Sequence, residues 1–164
     1  MSTLALLLNQ SVNALSQAAL LFFLGVGLTL IFGIMRIVNF AHGALYMLGA
    51  FVGYSLVHWT GSFWVALVLA PIVVGLVGWA FELSILRRLY RRDAHAFLMV
   101  TFGLALVVTE AVRLIWGPDA LQVPPPKLLS GIVFLLGEPF PTYRLFLAVS
   151  GLVMAIAIWQ LLER

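Results

Sequence analysis

The sequence alternates long apolar stretches with short polar segments, and most of the charged residues fall between the stretches. Crossing the roughly 30 Å of hydrocarbon in a bilayer takes about 20 helical residues. By this measure we predict membrane-spanning helices over residues 14–35, 40–58, 63–81, 97–115 and 145–162. These segments are apolar on every face, whereas the strands of a membrane β-barrel alternate polar and apolar side chains. The pattern therefore predicts an all-α integral membrane protein, a polytopic bundle of about five transmembrane helices.

One long connection, residues 116–144, separates the fourth and fifth predicted helices. It carries consecutive prolines from Pro124 to Pro126, which oppose helix formation. Its apolar part at residues 128–136 is too short to cross a bilayer. We therefore expect residues 1–164 to form a single transmembrane domain with one sizeable extracytoplasmic connection.

Basic residues predict the orientation of these helices. Arg87, Arg88, Arg91 and Arg92 follow the third helix together with a single acid, Asp93. Because short basic loops stay in the cytoplasm, we place this turn inside, and by alternation the N-terminus and the 116–144 connection outside. The cluster is short and has no interleaved aromatic residues, so we interpret it as a topology signal and expect no nucleic-acid partner.

The amino-acid composition also indicates a protein that lies in a lipid bilayer. Hydrophobic residues make up 63% of the chain and charged residues 9%, too few to cover a water-soluble domain. The chain has no cysteine, which excludes disulfides, thiol catalysis and cysteine-ligated metals. Within the fourth helix, Glu110 and Arg113 lie three residues apart, where we expect them to neutralise each other. We expect neither a metal site nor a cofactor.

The junction between the first two predicted helices combines glycines with polar residues. We predict close helix packing at four small positions, Gly25, Gly27, Gly33 and Gly49. Between the helices, Arg36, Asn39 and His42 recur every three residues, so on a continuous helix they would share one face. Two interpretations remain open. The segment is either a cytoplasmic turn in which Asn39 caps the next helix, or a broken helix whose polar groups serve a transport path.

The same region resembles a known family. Gly-Leu-Thr-Leu-Ile-Phe-Gly at residues 27–33 is followed by Val-Asn-Phe-Ala-His-Gly at 38–43 and Tyr-Met-Leu-Gly at 46–49. These strings resemble the permease subunit of branched-chain amino-acid ABC importers, of the LivH type. Looser similarity at residues 86–89, 101–104 and 115–117 extends the resemblance over essentially the whole chain.

The resemblance implies a transport function shared with several partners. A permease of this type works in the bacterial inner membrane with a second permease, cytoplasmic ATPases and an external solute-binding protein. The substrates would be leucine, isoleucine, valine or relatives, although permeases for urea and short amides are closely similar. Family members continue for about as long again, so we expect this chain to correspond to the N-terminal half. The candidates for lining the substrate path are Asn39, His42, Gly43 and Tyr46.

Other classes of function fit the sequence less well. The chain has no Gly-rich phosphate-binding loop with Lys and Ser or Thr, so ATP hydrolysis is expected on a partner chain. An intramembrane hydrolase using His42 would need a serine in a Gly-x-Ser-x-Gly turn, which does not occur. A small structural or assembly membrane protein remains the alternative to a permease.

Overall fold

The computed structural model describes residues 3–36, 38–90, 92–135 and 138–163. In these residues the chain is mainly helical, in agreement with the predicted class. The helices are α1 (Thr3–Met35), α2 (Ala41–Thr60), α3 (Phe63–Phe81), the three-residue α4 (Arg87–Leu89), α5 (Ala94–Trp116) and α6 (Thr142–Glu163). A π-helical turn, Glu82–Leu86, joins α3 to α4, so the helical backbone runs from Phe63 to Leu89.

Each of the five predicted helices is present, with shifted ends. The bounds of α3 agree with the predicted 63–81, whereas α1 begins eleven residues before the predicted position 14. The predicted start at residue 14 left out uncharged polar residues such as Asn9 and Ser11, which lie inside the helix. The turn that was predicted to carry the arginines is also partly helical, because α4 contains Arg87 and Arg88.

Among the described residues, four helices are long and apolar enough to cross a membrane. They are Asn9–Gly33, Phe63–Leu89, Ala94–Trp116 and Thr142–Glu163. Helix α2 has 20 residues, a sufficient length, but its polar side chains include His42, Tyr46, Tyr54, Ser55 and His58, and it does not reach the hydropathy of the other four.

The chain divides into two compact units, and the larger is Gly27–Pro124. In this unit α2 and α3 form an antiparallel helical hairpin, linked by Gly61 and Ser62. Gly61 ends α2 in the left-handed conformation (φ 68°), which glycine adopts without a Cβ clash. The Ser62 side chain accepts a hydrogen bond from the Val65 N–H and so caps α3.

Helix α5 packs against α2 in the same unit. Its buried residues are spaced three or four apart and form one stripe, Phe97, Thr101, Leu104, Val108 and Val112. The buried residues of α2 are the small Ala41 and Ala44, which allow the larger α5 side chains to approach. The core of this unit therefore lies between α2 and α5.

The other unit comprises residues up to Val26 and from Pro125 onward. In it the first part of α1 contacts α6 at Ala19 and Gly151, where a Cβ added to Gly151 would lie 3.1 Å from the Ala19 Cα. Asn13 and Arg144 are joined by a hydrogen bond in which the Arg144 guanidinium donates to the Asn13 amide oxygen. Small residues and one polar pair thus hold these two helices together.

The connection between α5 and α6 contains a feature that was not predicted. After a 3₁₀ turn at Lys127–Leu129, strands β1 (Ile132–Leu135) and β2 (Glu138–Pro141) form an antiparallel hairpin with Ile132 opposite Pro141. Residues 136 and 137 lie outside the described part. Proline is tolerated in such a ribbon because each strand has an outer edge that needs no donor, and Phe140 between the prolines is buried.

Candidate functional site

The backbone between α1 and α2 is not helical. Helix α1 ends at Met35, and Arg36 takes the left-handed conformation (φ 54°) while its N–H bonds to the Phe32 carbonyl at 2.7 Å. Residue 37 lies outside the described part, and Val38 and Asn39 are irregular. The single face that Arg36, Asn39 and His42 would share on a continuous helix therefore does not exist.

Asn39 caps helix α2. Its side-chain oxygen accepts a hydrogen bond from the Ala41 N–H at 3.0 Å, and its carbonyl accepts one from the His42 N–H at 3.3 Å. The first helical N–H groups have no partner within the helix, so these bonds define where α2 can start. The Asn39 side chain thus satisfies one of the first N–H groups of α2, although Phe40 holds the N-cap position and makes no side-chain cap bond itself. The junction is a non-helical break between α1 and α2.

A buried threonine on α5 supports the same turn. Thr101 is completely buried, and its hydroxyl accepts a hydrogen bond from the Phe40 N–H at 3.4 Å and donates one to the Leu98 carbonyl at 3.2 Å. The rings of Phe40 and Phe102 meet edge to face at 6.1 Å beside it. Sequence analysis assigned no role to Thr101, although it is the hydroxyl in an otherwise apolar buried stripe.

His42 occupies the space left by a glycine on α1. A Cβ added to Gly27 would lie 2.7 Å from the His42 Cε1 and 2.8 Å from its Nε2, closer than any real side chain allows. Gly27, one of the four predicted packing positions, thus accommodates an imidazole ring from α2.

The other predicted small positions differ from one another. A Cβ added to Gly49 would touch Val74 of α3 at 3.7 Å, an ordinary van der Waals distance. A Cβ added to Gly25 or Gly33 would meet no described atom within 4 Å. Of these four positions, the tight contact in the described residues is therefore the one at Gly27.

A cavity of about 210 Å³ lies in the Gly27–Pro124 unit. Its walls come from the end of α1, from α2, from the α3–α4 segment and from α5. They are mostly apolar, with Phe81, Phe97 and Leu104 among them, and three polar residues also line it, Asn39, Glu82 and Tyr90. Of the four predicted path residues, Asn39 lines this cavity, whereas Gly43 and Tyr46 are exposed on α2 and His42 faces Gly27.

Glu82 and Tyr90 form the charged side of the cavity. The Tyr90 hydroxyl donates a hydrogen bond to Glu82 Oε2 at 2.6 Å, and the Tyr90 ring stacks on Phe97 at 6.1 Å. Partial burial, followed by the hydrogen bond and the negative charge of Glu82, raises the pKa of Tyr90 to about 12. Tyr90 therefore remains a neutral donor at physiological pH, and Glu82 has an oriented carboxylate.

Sequence analysis missed Glu82 because the predicted third helix stopped one residue before it. The structure continues the helix through a π turn, in which the Arg87 N–H bonds to the Glu82 carbonyl. π turns are rare and frequently mark functional sites. An acid directly after an apolar span was the available signal.

The Glu110–Arg113 pair is confirmed as a mutual ion pair. Arg113 Nη1 lies 3.0 Å from Glu110 Oε1, and both side chains are about 60% exposed (62% for Arg113 and 61% for Glu110). Neither residue lines the cavity of this unit, so the pair is separate from the candidate site.

Comparison with known proteins decides the family. The model for the "branched-chain amino acid transport system / permease component" family matches residues 10–164. The chain belongs to this permease family. The resemblance drawn from the junction residues is thereby confirmed, and the four apolar helices make the family member a multi-pass membrane protein.

Three relatives illustrate the similarity. The high-affinity branched-chain amino acid transport system permease protein BraD of Pseudomonas aeruginosa is 30% identical over 140 residues, covering 80% of this chain and 45% of BraD. LivH of Escherichia coli K12 is 26% identical, covering 71% of this chain and 41% of LivH. LivM of Salmonella typhimurium is 27% identical, covering 76% and 29%.

The permease-family chain thus spans less than half the length of the relatives it matches. No solved structure matches it.

Proposed function

We propose that this chain forms part of the translocation path of an ABC importer for branched-chain amino acids in the bacterial inner membrane. The observation that carries the proposal is the family match over residues 10–164. In the proposed importer it works beside a second permease subunit, cytoplasmic ATPases and an external solute-binding protein. The chain itself is a transport subunit and not an enzyme.

The cavity supports the substrate class. A leucine-type solute combines a zwitterionic head with an apolar side chain, so its path needs both hydrogen-bonding groups and an apolar wall. The cavity offers Asn39 and Glu82 beside Phe81 and Leu104. Pockets for drug-sized ligands measure about 300–1,000 Å³, so a volume of about 210 Å³ suits a smaller solute.

The other three candidates for the substrate path, His42, Gly43 and Tyr46, do not line the cavity. His42 contacts α1 and sets the spacing of the two helices that frame the cavity. Gly43 and Tyr46 lie on the exposed side of α2, where Tyr46 is 46% exposed. They would line the path where another part of the importer meets that side of α2.

The test replaces the region of BraD that aligns with this chain by the aligned part of this chain. The chimera is expressed in Pseudomonas aeruginosa lacking its own BraD, and uptake of labelled leucine is measured. A BraD variant without the region serves as the control. We expect leucine uptake well above this control. Labelled valine should also be taken up, and unlabelled isoleucine should reduce the uptake of labelled leucine.

Two outcomes would contradict the proposal. A chimera that enters the membrane at the normal level but restores no leucine uptake would favour the structural or assembly alternative. Uptake of urea or acetamide with exclusion of leucine would assign the chain to amide transport.

A further inference from the structure

We propose that the cavity in the Gly27–Pro124 unit is a binding subsite for an aliphatic α-amino acid, in which Glu82 binds the ammonium group. The inference rests on the proposed transport function and names the chemistry by which this part of the path distinguishes amino acids from amides.

The carboxylate of Glu82 is oriented and has acceptor capacity left. Within the described residues, Tyr90 is its hydrogen-bond donor, at Oε2. An ionised carboxylate has about four lone-pair sites, so the second oxygen can accept from a ligand. The described ion pair joins Glu110 to Arg113 and does not involve Glu82.

Glu82 is half-buried beside the apolar walls of the cavity, where a positive partner would stabilise its carboxylate. Charges at the edge of a membrane span are costly unless they are paired or hydrated. The walls here include the buried Phe97 and Leu104, which cannot solvate an anion. An alkylammonium group offers a compact positive charge with three N–H donors, whereas a neutral amide offers no charge.

Asn39 supplies the complementary group for the other end of the solute. Its side-chain oxygen is used by the Ala41 N–H, so the amide NH₂ is the part of the side chain with donors to spare. These donors suit the α-carboxylate of an amino acid. The apolar side chain of the solute would then lie against Phe81 and Phe97.

The place of the cavity in the unit fits a step late in import. Asn39 precedes α2 and Glu82 follows α3, so both lie at the end of the helical hairpin that also carries Arg87 and Arg88. The sequence predicts that this arginine-bearing end is cytoplasmic. The subsite would therefore hold the amino acid before its release inside the cell.

The experiment measures binding of unmodified ligands to the complete 164-residue chain in lipid nanodiscs. Saturation-transfer NMR detects weak binding and reports which ligand protons touch the protein. Empty nanodiscs correct for partition into lipid. We expect leucine to receive saturation, most strongly at its methyl groups.

The ligand comparison isolates the ammonium group. 4-Methylpentanoate has the carbon skeleton and carboxylate of leucine without the amine, and acetamide represents the neutral amides. We expect both to bind at least about tenfold more weakly than leucine, because a site built for a donor loses that bond with an analogue that lacks it.

The matched substitutions isolate Glu82. Glu82→Gln should raise the dissociation constant for leucine at least about tenfold, because a neutral amide replaces the charged partner of the ammonium group. Glu110→Gln removes a carboxylate outside the cavity and should leave the dissociation constant for leucine unchanged. Tyr90→Phe removes the donor that orients Glu82 and should weaken binding less.

Each contrary result has a definite meaning. No leucine binding by the native chain, equal binding of leucine and 4-methylpentanoate, or normal leucine binding by folded Glu82→Gln would overturn the subsite. If Glu82→Gln fails to fold, as judged by circular dichroism and size-exclusion chromatography, Tyr90→Phe and the ligand comparison decide. Leucine uptake by the BraD chimera tests the proposed function separately, so either proposal can fail alone.

Discussion

The contact between Gly27 and His42 allows a quantitative test of how α1 and α2 meet. Replacing Gly27 with alanine adds one methyl group at the point where the imidazole ring lies. The added Cβ would be 2.7 Å from His42 Cε1, whereas carbon atoms pack favourably at about 3.5–4.0 Å. The ring must therefore move by roughly 0.8 Å or more, or the helices must separate.

Two opposing effects determine how Gly27→Ala changes the free energy of unfolding. Overpacking a fitted site costs about 1–3 kcal/mol, and movement of the ring, which is the far end of a side chain, places Gly27→Ala in the lower part of that range. Replacing glycine by alanine inside a helix raises the free energy of unfolding by about 0.5–1 kcal/mol. Gly33→Ala has only the second term, because no described atom lies within 4 Å of its Cβ position. The two variants should therefore differ by about 1–3 kcal/mol.

The assay is unfolding of the chain in mixed micelles by increasing SDS, followed by circular dichroism. A double-mutant cycle assigns the effect to the ring: in a His42→Ala background, Gly27→Ala should become as favourable as Gly33→Ala. The reasoning is refuted if Gly27→Ala and Gly33→Ala have equal effects with His42 present, or if the coupling free energy is near zero.

Three further experiments test the junction and the topology. Thr101→Val should lower the free energy of unfolding, by about 1 kcal/mol, because it leaves the partly buried Phe40 N–H without its acceptor, while Thr101→Ser should retain stability; SDS unfolding compares them. In the BraD chimera, His42→Gln should keep much of the leucine uptake and His42→Leu should lose more, since glutamine keeps a hydrogen-bonding side chain at this position and leucine does not; equal loss in both would contradict this. A reporter enzyme that works only in the cytoplasm should be active when it is fused after Arg88, and one that works only outside should be active when it is fused after Pro124. The reverse pattern would invert the predicted topology.

Much of the fold could be predicted because the bilayer constrains helices strongly. The bounds of α3 were predicted correctly since the apolar run begins after Ser62, whose side chain caps the helix, and stops before the charged Glu82. The start of α1 at Thr3 was missed because helical structure can extend beyond the lipid-compatible segment. The β1–β2 hairpin was missed because strand pairing depends on a partner, and Pro139 and Pro141 argue locally against a strand.

The candidate site was predicted only in part. Asn39 was found because its polar side chain stands out among apolar neighbours, and its capping bond is local in sequence. Glu82 and Tyr90 come together with Asn39, and Thr101 with the Phe40 N–H, only when α2 packs on α3 and α5. No periodicity within one helix encodes that arrangement, because it depends on contacts between residues far apart in the chain.

The account depends most on the claim that the cavity takes up the solute, and one thiol can test it. The chain has no cysteine, so Leu45→Cys places a single thiol in the cavity wall, and Met99→Cys places one on the outer side of α5, where Met99 is 76% exposed. The measurement is the rate of modification by a water-soluble methanethiosulfonate, which requires the thiolate and hence water. We predict fast modification of Leu45→Cys that leucine slows, and slow modification of Met99→Cys that leucine leaves unchanged. Equal rates at the two positions, or no effect of leucine at Leu45→Cys, would contradict the account.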